Sequence, residues 1–125
     1  MSRDPKDLVR EYVEVVLNGH DLAALDRYVD SERLHKAAVG IVSANPDLRI
    51  TVEHLIAEGD LVAGRFMGEG THTGTPWRKI PASGKPWHAS CNLFFRVEGD
   101  RIVESWINWD WLSITQQLGV VPPLP

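Results

Sequence analysis

The strongest constraint on this chain is a change in the spacing of its apolar residues at Asn45-Pro46. Upstream they recur every three or four positions, and downstream they alternate. The first spacing gathers apolar groups on one face of a helix, the second on one face of a strand. Helices first and antiparallel hairpins after describe an α+β fold, with N-terminal helices packed on a strongly curved, mostly antiparallel sheet. One sheet face then encloses a cavity beneath the helices. The other is free to pair with a second subunit.

The helical part carries its own punctuation. Asp4 caps a helix that Pro5 opens, with Leu8, Tyr12, Val15 and Val16 as its apolar stripe. Asn18-Gly19 ends it. Asp21 caps a second helix carrying Leu22, Leu25, Tyr28 and Val29. Ser31 caps a third, Glu32 to about Ser43, which Asn45-Pro46 stops.

In the strand part, Leu48, Ile50, Val52, His54 and Ile56 alternate with Arg49, Thr51 and Glu53. Glu58-Gly59-Asp60 turns the chain into a partner strand, Leu61 to about Thr71. The Gly/Pro-rich stretch 74–86 is an irregular excursion whose Trp77 and three cations suggest a rim or lid. Trp87–Val97 and Arg101–Asp110 are two further strands, joined at Glu98-Gly99-Asp100. A short helix spans Trp111–Leu118 and Gly119 ends it. The expected organisation is one domain, 1–125, with helices over about 5–44, sheet over about 47–110, and a short helix and tail over 111–125.

Composition fits that outline. The chain has 125 residues, 43% of them hydrophobic, which supports one packed core. A net charge of −4 with scattered Lys and Arg argues against a nucleic-acid partner. The single cysteine, Cys91, removes any internal disulfide and any cysteine metal cluster. Nor do the five histidines show zinc-helix spacing, so no metal is expected. Met1-Ser2-Arg3-Asp4-Pro5 lacks the apolar stretch of a signal peptide, and no run has the length of a membrane span. A cytoplasmic protein without a membrane partner is the expectation.

Chemistry is most concentrated at Trp106-Ile107-Asn108-Trp109-Asp110-Trp111. A carboxylate among indoles is desolvated, which raises its pKa and makes it a stronger base. Trp106, Asn108 and Asp110 share parity, so Trp106 can wall the carboxylate and Asn108 can donate to an oxyanion. The alternative is an aspartate that caps the last helix. His54 stands in an apolar row, where it is either core or a proton shuttle. His72 lies near a strand end between two threonines. His88, Ser90 and Asn92 form a polar row on the third strand that faces a pocket, solvent or a subunit. The apolar alternate row is Trp87, Ala89, Cys91 and Leu93. Tyr12, on the first helix, can reach a ligand with its hydroxyl.

Several motifs resemble the SnoaL-like polyketide cyclase family. They are Pro46-Asp47-Leu48-Arg49-Ile50, Glu58-Gly59-Asp60, Gly70-Thr71-His72-Thr73-Gly74, Phe95-Arg96-Val97-Glu98, Arg101-Ile102-Val103-Glu104, and Trp106 with Asp110 ahead of Gln116-Gln117-Leu118-Gly119. The resemblance implies a cone-shaped α+β barrel of the nuclear transport factor 2-like superfamily, a deep apolar pocket, usually a homodimer, and chemistry without a cofactor. It implies that Asp110 takes a proton from carbon beside a carbonyl, so that the enolate closes a ring. His35 can replace a family histidine. The segment between Val29 and Pro46 is short for the family.

Three readings of function follow. The first is a cofactor-independent cyclase acting on an apolar carbonyl substrate. Asp110 is the base, with His54 or His88 assisting, and Trp106, Asn108, Asn92, Tyr12, His35 and His72 form the pocket. The second keeps the cavity but opens an epoxide, or isomerises or dehydrates. Epoxide opening favours a second acid, for which Glu69 and Glu104 are available. The third is a domain that binds a hydrophobic metabolite, or a dimeric scaffold, without catalysis.

Overall fold

Four helical segments and four strands make up the computed structural model, which describes residues 4–124. The reading of Met1-Ser2-Arg3 and of the final Pro125 lies outside the described residues. Helix α1 runs Pro5–Tyr12 and widens into a π-helical turn, Val13–Asn18. A short 3₁₀ turn, Leu22–Ala24, leads into α2, Leu25–Tyr28, and α3 is Glu32–Ala44. Strands β1 Arg49–Glu58, β2 Leu61–Thr71, β3 Pro86–Glu98 and β4 Arg101–Trp109 precede α4, Trp111–Gln117.

Each expected cap is in place. Side-chain oxygens of Asp4, Asp21, Ser31 and Asp110 accept from the backbone N–H of Lys6, Ala24, Leu34 and Ser113. The π-helical turn rotates the first stripe. Val13 is fully buried and Val15 only partly, where a regular helix would bury Val15.

The sheet is an antiparallel meander in the order β1-β2-β3-β4, curved around the helices. The apolar row Trp87, Ala89, Cys91, Leu93 and Phe95 of β3 is buried under them. Register extends that inner face to Trp109, Ile107 and Ser105, the partners of Cys91, Leu93 and Phe95. On β2 it includes Phe66 and Gly68, the partners of Cys91 and Ala89. A Cβ on Gly68 would meet the Trp109 ring at 2.5 Å, so glycine there lets the indole lie against the sheet.

Several motif residues turn out to be joints. Asp47 accepts from both Thr71 N (2.7 Å) and Thr71 Oγ1 (2.8 Å), tying the α3–β1 loop to the end of β2. These two bonds hold its carboxyl below the usual range. Arg96 clamps both oxygens of Asp60 (2.9 Å) and one of Glu104 (2.8 Å), binding the β1–β2 turn to β3 and β4. Gln117 donates to His88 O (2.8 Å) and accepts from His88 N (2.9 Å), which fastens α4 to a stretch of β3 that β4 does not reach.

Candidate active site

Between the helices and the inner sheet face lies a cavity of about 430 Å³, in the range of small-molecule sites. Leu93, Phe95, Phe66 and Ile107 form its sheet wall, and Leu34, Ala38 and Ile41 of α3 its roof. Tyr12 enters from α1, 2% exposed, with edge contacts to Tyr28 and Phe95 at 6.5 and 6.1 Å. Burial pushes its phenol well above the ordinary value, which favours the protonated form.

One end is closed by tryptophans. Trp77 packs on Trp87 (5.0 Å) and Trp111 (5.1 Å), and Trp87 on Trp109 (5.8 Å). The indole N–H of Trp87 donates to the buried Asn45 (2.8 Å), which keeps that polar pair satisfied. Trp77 thus plugs the 74–86 excursion into the cavity wall. The exposed lining residues Arg33, Lys36, Ala37 and Arg78 mark the mouth.

Of the residues singled out in the sequence, Tyr12 lines this cavity. The row Trp106, Asn108, Asp110 does share a face, but it is the outer one, because the partners of the buried β3 row are the alternate residues 105, 107 and 109. Asp110 is exposed, and its Oδ1 accepts from Ser113 N at 3.1 Å. The expected desolvated carboxylate is therefore corrected to a solvated helix cap in the single chain. Asn92 and His88 lie on the same outer face, which settles the open question of the β3 rows.

His54 is also corrected. A bulge between Val52 and His54 inserts Glu53 and flips the parity, so His54 pairs with Arg65 on the exposed face instead of following Val52 inward. His35 is exposed on α3, 4.0 Å from Asp26. His72 is fully buried rather than at a surface strand end. Its Nε2 is 3.1 Å from Thr75 O, its Nδ1 has no partner, and its ring meets Trp77 edge-on at 6.0 Å. It pins the start of the excursion and does not line the cavity.

The lining contains no Asp, Glu or His. Among the described residues no cluster of three or more His, Cys, Asp or Glu could hold a metal. Also among them, no helix is long and apolar enough to cross a membrane. Sequence reasoning missed the inner β4 row and the α3 cations Arg33 and Lys36, whereas Arg78 belongs to the excursion read as a rim or lid. The first follows from pairing β4 against the apolar β3 row. Exposed cations on α3 give no such signal.

Comparison with known proteins decides the family. The profile of the SnoaL-like polyketide cyclases matches residues 6–118. The chain belongs to that family. No curated protein matches it in sequence. Among solved structures, this SnoaL-like chain is similar to TsrD from Streptomyces laurentii, with a TM-score of 0.81, 24% identity, and 97% and 99% of the two chains covered. It is also similar to AclR from Streptomyces galilaeus, a proposed hydroxylase, with a TM-score of 0.79, 25% identity, and coverage of 97% and 84%. IdmH from Streptomyces antibioticus, a proposed polyketide cyclase, aligns with a TM-score of 0.75, 26% identity, and coverage of 94% and 100%. These likenesses match the SnoaL-like fold of helices on a curved antiparallel sheet.

The buried thiol of this SnoaL-like chain gives a stability test. Burial pushes Cys91 up to about 12, partly offset by a backbone hydrogen bond from Asn108. An unfolded cysteine ionises near about 8.5. The folded value is the higher one, so its contribution is intact below about pH 8.5 and is lost as pH rises toward the folded value, at up to about 1.4 kcal/mol per pH unit. Urea unfolding at about pH 8 and pH 10.5 is expected to show this loss, and Cys91→Ala to reduce its slope. An unchanged slope in the variant would assign the loss to other groups.

Proposed function

We propose that this chain is a cofactor-independent enzyme of the polyketide cyclase kind, acting on an apolar, carbonyl-bearing metabolite held in the cavity. The observation that carries this reading is a buried, protonated tyrosine set among apolar walls in a family of cyclases. In the proposed aldol closure, a proton leaves the carbon beside one carbonyl. The resulting enolate carbon attacks a second carbonyl of the same molecule, a carbon–carbon bond forms, and the new alkoxide takes a proton. Tyr12 donates to the oxygen that gathers charge. Since the wall offers no carboxylate or imidazole, the proton passes to water at the mouth. Confinement of the chain-like substrate in a near-attack shape supplies much of the rate.

The expected partner is a second copy in the cytoplasm. Ile56, Phe94 and Trp106 fall in one register row across the outer face, 70, 52 and 44% exposed, an apolar stripe suited to a homodimer. His54, Asn92 and Asn108 occupy the adjoining row and would lie in that interface.

A second reading, binding without turnover, is favoured by the lining's lack of any acid or histidine. Epoxide opening is less supported, since Glu69 and Glu104 stand on the outer face and Glu104 pairs with Arg96. A linear poly-ketone ester offered to the protein is expected to give a cyclised product by mass spectrometry. Asp110→Asn, which keeps a capping side chain, is expected to retain most of that turnover. A loss of a thousandfold or more in Asp110→Asn would restore Asp110 as the base. Ligand binding with no product from any ester tested would favour the second reading.

A further inference from the structure

We propose that the ligand of this cavity carries a carboxylate or similar anionic head, received at the mouth by Arg33 and Arg78. The proposal rests on the reading that the cavity is the binding site, and adds the substrate's charge and orientation. The chain as a whole is acidic, with a net charge of −4. Its cavity lining nevertheless holds three cations, Arg33, Lys36 and Arg78, and no acid. An apolar hollow rimmed by one sign of charge focuses its field and selects ligands of the opposite sign.

Two further observations favour a head group at this rim. On α3, Arg33, Lys36, Ala37 and Gly40 fall at helical spacing along the mouth. Lys36 is engaged with Glu32 at 3.0 Å, whereas Arg33 has no hydrogen bond or ion pair among the described residues. Two turns along α3, a Cβ added at Gly40 would meet nothing within 4 Å, so the lining there stands open.

In the 74–86 excursion, Arg78 and Lys79 are the two central residues of a tight turn closed by Trp77 and Ile80, whose backbone N–H groups each donate to the other's carbonyl at 2.8 Å. Both have positive φ, 49° and 68°, where glycine or asparagine is favoured. The backbone accepts that strain and sets the Arg78 guanidinium 4.8 Å from the centre of the Trp111 ring. A stacked guanidinium is oriented in advance and keeps the edge of its fork free for a carboxylate. The ligand would lie with its apolar body against Leu93 and Phe95 and its head toward solvent.

The test is calorimetric titration with 2-naphthoate and its neutral counterpart 2-naphthamide, which share one aromatic body. The naphthoate is expected to bind about tenfold more tightly at low salt, with the preference shrinking as salt rises. The double variant Arg33→Gln with Arg78→Gln is expected to lose most of the preference while binding the amide as before, and Arg33→Lys to keep it. Melting curves verify that each variant is folded. Equal binding of the two compounds, or a preference untouched by the double variant, would overturn the proposal and leave the cavity reading standing. Binding of neither compound would remove the cavity reading and the proposal with it.

Discussion

Replacing Trp77 with alanine is expected to cost about 3–5 kcal/mol of stability, the range for truncating a buried large aromatic. Trp77 is 5% exposed and touches Trp87, Trp111 and His72. It anchors a stretch whose own backbone bonds are few. Its removal would open a void continuous with the cavity, so the lost contacts could not be recovered by local collapse. Urea unfolding measures the loss, and hydrogen exchange over 73–85 is expected to rise sharply because the plug holds that segment. Trp77→Phe retains part of the packing and is expected to lose less. Unchanged exchange in the alanine variant would mean that the bonds of His72 to Thr75, Gly84 and Lys85 hold the excursion without the indole.

Tyr12→Phe is expected to lower kcat by about a hundredfold with little change in apparent affinity, the effect of removing one donor to a developing oxyanion. The phenyl ring keeps the edge contacts with Tyr28 and Phe95, so the fold should stand. Because burial holds the phenol protonated far into the alkaline range, the wild-type rate should show no fall from Tyr12 ionisation below about pH 10. With solvent as the proposed proton acceptor, no carboxylate inflection at about pH 4–6 is expected either. A variant with wild-type kcat would reduce Tyr12 to packing. A clear inflection in the acid range would point to a carboxylate outside the cavity lining.

The caps and the alternation from Leu48 to Val52 were legible because each depends on a few adjacent residues. The parity of β1 beyond Val52 was not, since one inserted residue, Glu53, reverses every later side chain and leaves no mark in the pattern. On β4 the three residues of chemical interest did share a face. Which face was inward depended on pairing with β3, a long-range fact that the apolar row through Cys91 could have decided. Asp47, Thr71, Asp60, Arg96 and Glu104, prominent in the motifs, prove to be joints of the fold. That explains why they identify an architecture and are silent about the substrate. Tyr12 was legible because a polar atom on an apolar stripe is conspicuous. Arg33 was not, since a cation on an exposed helix face looks like any other.

The tryptophan-closed end of the hollow has a consequence for biosynthesis. Trp109, Trp111 and the Gln117 clamp leave the ribosome well after Tyr12 and the α3 roof. A nascent chain must therefore carry an unfinished greasy trough until the 109–117 stretch emerges, a state in which chaperone capture and misassembly compete with closure. Truncations ending before Trp109 should be retained by hydrophobic-surface chaperones, and release should coincide with addition of α4.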